Sequence, residues 1–205
     1  MTTRVSLIRH GETDWNVQGR FQGLARIPLN DNGIAQARAA GEALRAAGIT
    51  RIIASDLARA RQTAEHINAA LNLPIEPDPR WREVDVGDWQ GMDFSEIERY
   101  DPANYDAFFN GPYIERAFPN GESQREHIAR TADALDDTLT RFSGEHVLVV
   151  THGGCIRCAM YYVSQHNTSV GAGNCSVTRF YHNGHSANWQ VAGVSQPPAS
   201  IDWSE

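Results

Sequence analysis

Arg9, His10 and Gly11 close a short apolar run in the segment VSLIRHGETDWN, residues 5–16. A strand suited to a core that stops at a guanidinium, an imidazole and a glycine invites a chemical explanation. Such an imidazole can fill space, ligate a metal, move a proton or attack as a nucleophile. Two more apolar runs end in the same vocabulary. RIIAS (51–55) leads into Asp56 and then Arg59, and HVLVVTH (146–152) delivers Thr151 and His152 ahead of Gly153-Gly154. Two guanidiniums and two imidazoles brought together make a site for a phosphate-like dianion, because Arg forks match phosphate oxygens in bidentate fashion. A reaction also needs an acid or base. WREVDVGDWQG (81–91) offers Glu83, Asp85 and Asp88 beside Trp81 and Trp89. A carboxyl held against aromatics has a raised pKa and can donate a proton. The segment alone does not say which of the three does so.

These residues meet only if the secondary structure carries them to one edge. The Val- and Ile-rich runs 5–10, 51–55 and 146–152 read as buried strands, and each precedes a helical pattern. One helix is expected over 31–47, with Ile34, Ala37, Gly41 and Leu44 on one face and Gly48 as its stop. A second spans 57–72, a third spans 124–142 behind a Ser123–Glu126 capping box, and a fourth follows Gly153-Gly154. Strands near 175–182 and 186–194, joined through Asn183-Gly184, read as an antiparallel hairpin. The expected fold is α/β: a three-layer α/β/α sandwich with a mostly parallel central sheet and a C-terminal antiparallel hairpin. In such sheets ligands sit at the carboxyl ends of strands, where Arg9, His10, Arg59 and His152 fall. Two of the three segments also open helices, whose free N–H groups favour anions. Burying this much positive charge without an anionic partner is costly, which favours a pocket over four separate structural roles.

The bulk composition narrows the classes. A chain of 205 residues is most simply a single domain, 1–205. A net charge of −7 without a basic run argues against a nucleic-acid surface. Its basic residues are arginine rather than lysine, which suits oxyanion recognition in one pocket. There is no apolar run long enough to span a membrane and no signal-peptide pattern at MTTRVSLIRHG, so a cytoplasmic setting is expected. Three cysteines make no disulfide framework, and Cys155 and Cys158, a C-x-x-C inside CIRCAMYYV, read as buried small hydrophobes. His182 and His185 flank the hairpin turn rather than a metal. Residues 91–120 crowd Phe94, Tyr100, Tyr105, Phe108, Phe109, Tyr113 and Phe118 among Pro, Asn and Gly. This irregular stretch reads as a satellite core, a lid or substrate-specificity subregion, or both. Pro197-Pro198 and the polar tail beyond read as poorly ordered.

With LIRHGETDWN, SDLARARQTAE, REVDVGDWQG, FPNGES and VTHGG in this order, the chain resembles the histidine phosphatase superfamily, in its phosphoglycerate mutase-like branch, from residue 4 to about 194. The resemblance implies roles at matching positions. His10 would be the nucleophile that forms a phosphohistidine, Arg9, Arg59 and His152 would clamp the phosphoryl oxygens, and Glu83 would donate the proton. Asn16, Gln22 and Gly23 match positions lining the phosphate site, and Gly153 of the T-H-G block is placed with them. Gly11 would let backbone approach the phosphate closely. No metal or organic cofactor is implied. The partner implied is a small phosphorylated substrate, with neither nucleic acid nor membrane, and a homodimer is compatible with the family.

Three readings remain distinct at this stage. Family mutases carry added segments between the acid block and the second histidine block, and this chain lacks them, which favours a phosphatase over a mutase. A phospho-ligand binding protein without turnover is the non-enzymatic alternative, and every expected catalytic position being filled counts against it. A redox or zinc protein built on Cys155 and Cys158 is the third. Arg26 stands where the family often has an acid. It reads as a surface arginine, or as an added cation at the pocket mouth. The aromatic 91–120 stretch points to an apolar or ring-bearing leaving group. The physiological substrate and the oligomeric state stay open.

Overall fold

Alternating side chains of the first strand divide the core in two: Val5 and Leu7 join one buried cluster, and Ile8 joins the other. The structure, a computed structural model, describes residues 1–164, 171–184 and 188–203. In chain order the elements are β1 (Thr3–Arg9), α1 (Asp14–Val17), α2 (Asp31–Leu44), β2 (Arg51–Ala54), α3 (Ala58–Leu71), β3 (Ile75–Pro77), α4 (Phe94–Tyr100) and α5 (Pro102–Asn110). They continue with α6 (Gln124–Arg141), β4 (His146–Thr151), α7 (Gly153–Val163), β5 (Val177–His182) and β6 (Gln190–Gln196). The sheet order is β3-β2-β4-β1-β5-β6, parallel across the first four strands and antiparallel at β5 and β6. Helices α2 and α3 cover one face and α6 and α7 the other, giving the expected α/β/α layers. No helix among the described residues is long and apolar enough to cross a membrane.

Register sets up the site. Ile8 of β1 and Ala54 of β2 both pair with Val150 of β4, so His10 and His152 emerge side by side where the strands end, with Ser55 one position behind them. The amide of His10 still bonds the Thr151 carbonyl (2.9 Å), and that of Ser55 bonds Val150 (2.9 Å). Every residue of β4 is buried, as a strand covered on both faces requires. The chain leaves β1 toward α2 on one face and leaves β4 into α7 on the other. A crevice therefore opens between two adjacent strands, the position at which α/β sheets bind ligands.

The helix ends follow their sequence signals. Asn30 caps α2 through Gly33 N–H (2.8 Å), and the Ser123–Glu126 capping box forms at α6. Helix α3 ends at Asn72, which takes the left-handed conformation.

Four expectations are corrected. The tail is not loose: Pro198–Ser200 form a 3-10 turn, and Ile201 and Trp203 pack against the core beside α2 and α3. The second hairpin strand runs from Gln190 to Gln196 rather than 186–194, and His185 lies outside the described residues. The 91–120 stretch is not irregular, since it holds two short helices, α4 and α5, although the satellite core expected of it is present. Its rings build a satellite core of Val84, Val86, Trp89, Ile97, Phe108 and Phe118. Finally, Gly11 approaches protein rather than ligand. A Cβ there would sit 2.5 Å from the Gly33 carbonyl oxygen, so the turn after β1 lies directly on the first turn of α2.

Because Ile201 is 8% exposed, Ile201→Ala is expected to destabilise the protein by about 2–3 kcal/mol. Urea denaturation checks this. A loose tail would leave the midpoint unmoved.

Candidate active site

At the carboxyl ends of β1 and β4 lies a cavity of about 410 Å³. Arg9, His10, Asn16, Gln22, Gly23, Arg59, Glu83 and Gly154 line it, together with Phe21, Phe94, Phe108 and Phe109 from the satellite core and its neighbours. His152 stands directly behind, its ring centroid 5.2 Å from that of His10. Residues distant in sequence thus share one pocket, as the strand-end rule requires.

Hydrogen bonds fix the tautomer of His10. Its Nδ1 faces the Gly11 carbonyl at 2.7 Å, an acceptor only, so Nδ1 carries the proton. On the other side Arg59 Nε donates to His10 Nε2 at 3.2 Å, which places the lone pair on Nε2. Burial, then the charges of Arg59 and Arg9, hold the His10 pKa well below its ordinary value. The imidazole is therefore neutral, with a lone pair aimed among arginines.

The arginines are anchored by backbone. Arg59 Nη1 and Nη2 donate to Ala25 O (3.0 Å) and Gly23 O (2.9 Å), and burial pushes its pKa down to about 10. This explains Gly23. It takes a positive φ of 48°, and a Cβ there would lie 2.6 Å from Val86 Cγ2. Arg9 Nη1 donates to Ala172 O (2.7 Å), while its Nε is buried without a partner. His152 shares a 2.8 Å hydrogen bond between Nε2 and Ser55 Oγ, and its Nδ1 is likewise buried and unpartnered. Unmet polar atoms of this kind are rare in folded proteins and point to a ligand with oxygens to offer.

Among the three candidate acids the geometry selects one. Asp85 accepts from Gly87 N–H (3.0 Å) and Asp88 from Asn120 (2.9 Å), whereas Glu83 lines the cavity. The Glu83 carboxylate accepts from Val84 N–H (3.0 Å) and from Gly154 N–H (3.1 Å) at the start of α7. Its pKa is not raised, contrary to the expectation from nearby tryptophans. Burial pushes it up, but electrostatic coupling to His127, the charges of Arg157 and Arg59 and the Val84 amide outweigh burial and hold it below the ordinary carboxylate value. Trp81 and Trp89 belong instead to two separate cores. Arg130 secures the acid loop: it donates to the carbonyls of Arg80 (2.8 Å), Arg82 (2.7 Å) and Glu83 (3.1 Å) while pairing with Glu122 (2.7 Å).

Gly153 does not line the cavity; its neighbour Gly154 does. A Cβ on Gly154 would collide with the Glu83 carboxylate, so glycine is what lets the helix end meet the acid. Asn16 Oδ1 accepts from Thr13 and, at 3.3 Å, from Asn174 Nδ2, which also donates to the His10 carbonyl at 3.0 Å. Arg26 is exposed and lies outside the cavity, beside Asp56 and Arg82.

The cysteines act as small buried groups. Burial pushes the Cys155 thiol up to about 11, and it donates to Arg82 O (2.9 Å), while Cys158 Sγ accepts from Gln124 (3.0 Å). Among the described residues no three His, Cys, Asp or Glu side chains gather as a metal-ligand set.

Several site residues escaped the sequence reading. Ser55 stands at the end of β2, level with Arg9 and Thr151 and one position behind His10 and His152, so the strand-end rule could have found it. Thr63, one turn after Arg59, accepts Gly11 N–H (3.0 Å). His127, Arg116 and Arg157, which line the cavity, and Asn174, which bonds the His10 carbonyl behind it, carry no local sequence signal, because only tertiary packing brings them there.

Comparison with known proteins gives a consistent picture. The family model described as histidine phosphatase superfamily (branch 1) matches residues 5–194. A probable phosphoglycerate mutase GpmB of Proteus mirabilis (strain HI4320) is 36% identical over 180 residues, covering 86% of this chain and 83% of that protein. The uncharacterized phosphatase PhoE of Bacillus subtilis (strain 168) is 37% identical over 162 residues, covering 79% and 78%. The structure of a mycobacterial glucosyl-3-phosphoglycerate phosphatase in complex with VO3 superposes with a TM-score of 0.85 at 28% identity, over 94% of this chain and 99% of that one.

The buried imidazoles set a pH dependence of stability. Burial depresses His10, His152 and His146 below the unfolded value of 6.5, and His127 to about 4. Below pH 6.5 the unfolded chain binds protons that the folded protein refuses, so stability falls as pH drops, at about 1.4 kcal/mol per pH unit for each fully resisting imidazole. For His127 the loss ends near pH 4. Urea midpoints are expected to fall steadily from pH 7 to pH 5, with a shallower slope in His127→Gln. A flat profile would contradict neutral buried histidines.

Proposed function

Because this chain belongs to the histidine phosphatase superfamily (branch 1), we propose that it hydrolyses a small-molecule phosphomonoester through a phosphohistidine on His10. The observation that carries this reading is the neutral His10 with its Nε2 lone pair held toward Arg59. In the first step Nε2 attacks phosphorus, and the P–O bond to the leaving group breaks with its electron pair on the departing oxygen. Arg9, Arg59 and the free Nδ1 side of His152 take up charge on the equatorial oxygens. A substrate dianion screens the cations that depress the Glu83 pKa, so the carboxyl gains a proton and passes it to the leaving alkoxide. In the second step carboxylate Glu83 takes a proton from water, whose oxygen attacks phosphorus and frees His10. Asn16 and Gln22 border the phosphoryl position, and no metal takes part.

The aromatic lining from Phe21, Phe94, Phe108 and Phe109 supports an apolar surface beside the leaving group. Similarity to a probable mutase keeps return of the phosphoryl group to substrate as the second reading.

Turnover of p-nitrophenyl phosphate with EDTA present tests the proposal. His10→Ala is expected to lower it by on the order of 1,000-fold or more, and Arg59→Ala by about 100-fold, since such clamps contribute about 3–4 kcal/mol. Silence across a phosphate-ester panel would favour a binding protein. Interconversion of phosphoglycerates without phosphate release would favour a mutase.

A further inference from the structure

A second cavity, of about 400 Å³, opens at the opposite end of the sheet, where β1 and β4 begin. Arg4, Ser6, His146, Arg179, Tyr181 and Trp203 line it. Arg4 lies five residues before Arg9 on β1, about 16 Å at the rise of a strand, so this cavity is separate from the catalytic crevice. Its volume falls within the roughly 300–1,000 Å³ of small-molecule sites.

Register explains what it contains. Across β1 and β5, Arg4 pairs with Tyr181 and Ser6 with Arg179, so the two arginines are diagonal neighbours on one face of the sheet. No Asp or Glu is among the residues lining the cavity, and neither guanidinium makes a salt bridge among the described residues. Two like charges so placed repel one another until an anion joins them.

The backbone makes room for Arg179. It stands opposite Gly193 of β6 between two register shifts, and a Cβ at Gly193 would collide with the Gln196 side chain and crowd Arg179 Nε at 3.3 Å. Arg179 Nη2 donates to Gln196 Oε1 at 3.3 Å, its Nε is buried without a partner, and its guanidinium lies 5.7 Å from the Trp203 ring. Trp203 is fixed in turn by its Nε1 bond to Pro198 O (3.2 Å), with its ring 6.1 Å from that of His146. His146 adds no charge. Its Nδ1–H donates to Ala47 O (2.8 Å) and its Nε2 accepts from the Ser6 hydroxyl (2.9 Å), so a neutral ring satisfies both nitrogens. Burial, with the charges of Arg4 and Arg179, holds its pKa below the ordinary value. The cavity therefore carries two unneutralised guanidiniums beside aromatic walls.

We propose that this cavity is a second ligand site, taking a small dianion that carries a planar ring. Arg4 and Arg179 grip the charged end, and the ring lies against Trp203 and Tyr181. One phosphoryl group or two carboxylates supply the two charges that the site lacks. Occupancy requires no turnover at His10, so the site stands apart from the phosphatase reading.

Fluorescence titration of His10→Ala, in which no probe is turned over, tests the site, and Trp203→Phe on that background identifies the signal that belongs to it. Phthalate and adenosine 5′-monophosphate carry a ring and a dianion, adenosine the ring alone and inorganic phosphate the charge alone. The expected result is a Trp203-dependent change with at least one of the two ring dianions, at a Kd about tenfold or more below that of adenosine or phosphate. The tighter of the two tells a phosphoryl from a dicarboxylate ligand. Arg4→Gln and Arg179→Gln are each expected to weaken this binding by about tenfold or more. Arg4 is exposed, and losing it relieves repulsion with Arg179, so Arg4→Gln is expected to keep or raise the urea midpoint. Three results overturn the site: no change with either ring dianion, binding unmoved in Arg4→Gln, or phosphate binding as tightly as the ring probes. A change that survives Trp203→Phe belongs to the catalytic cavity, which Trp15 lines, and overturns it as well.

Discussion

Buried positive charge beside a neutral imidazole is the constraint around which this molecule is arranged. Arg59 is almost fully buried, and its Nε points at the same His10 nitrogen that must keep a lone pair. Removing a guanidinium from water is expensive, and here carbonyl oxygens of Gly23 and Ala25, not carboxylates, compensate. Carbonyl dipoles hold the cation in place without cancelling its charge. Burial first, and then that residual field, depress His10 and His152, and the field helps to hold Glu83 ionised. An incoming oxyanion meets donors already oriented and little reorganisation to pay for.

The scaffold serves this arrangement at the few points where backbone must come unusually close. Gly11 lies on Gly33, which sets the turn carrying His10 against α2, and the Thr63 hydroxyl ties the same turn to α3. Gly154 admits Glu83 to the start of α7, while Arg130 holds the acid loop by three carbonyls. The sheet register then aligns His10 with His152 and sets Ser55 one position behind, where its hydroxyl meets the His152 ring. Strands position the reacting groups, and the aromatic cluster of α4, α5 and the turns around them forms the facing wall.

The legible part of this structure is the part governed by short-range rules. Buried strands declared themselves through unbroken Val and Ile runs, and helix starts through Asn30 and the Ser123–Glu126 box. Because parallel strands share a direction, residues at their ends could be assigned to one edge without coordinates. The tail misled because Pro197-Pro198 reads as a break; Ile201 and Trp203 beyond it needed a groove beside α2 that only the folded chain provides. Glu83 misled for a related reason. Trp81 and Trp89 neighbour it in sequence, but its electrostatic environment comes from His127, Arg157 and Arg59, three distant segments.

Nucleophilic attack through His10 Nε2 has a direct chemical signature. Acid-free rapid quenching during turnover of p-nitrophenyl phosphate, followed by peptide mass spectrometry and phosphorus NMR, reads the covalent intermediate. A phosphoryl group on Nε2 of His10, alkali-stable, acid-labile and absent from His10→Ala, is the predicted result. Steady turnover with no phosphoenzyme, or with phosphorylation at Nδ1 of His10 or on another residue, would contradict it.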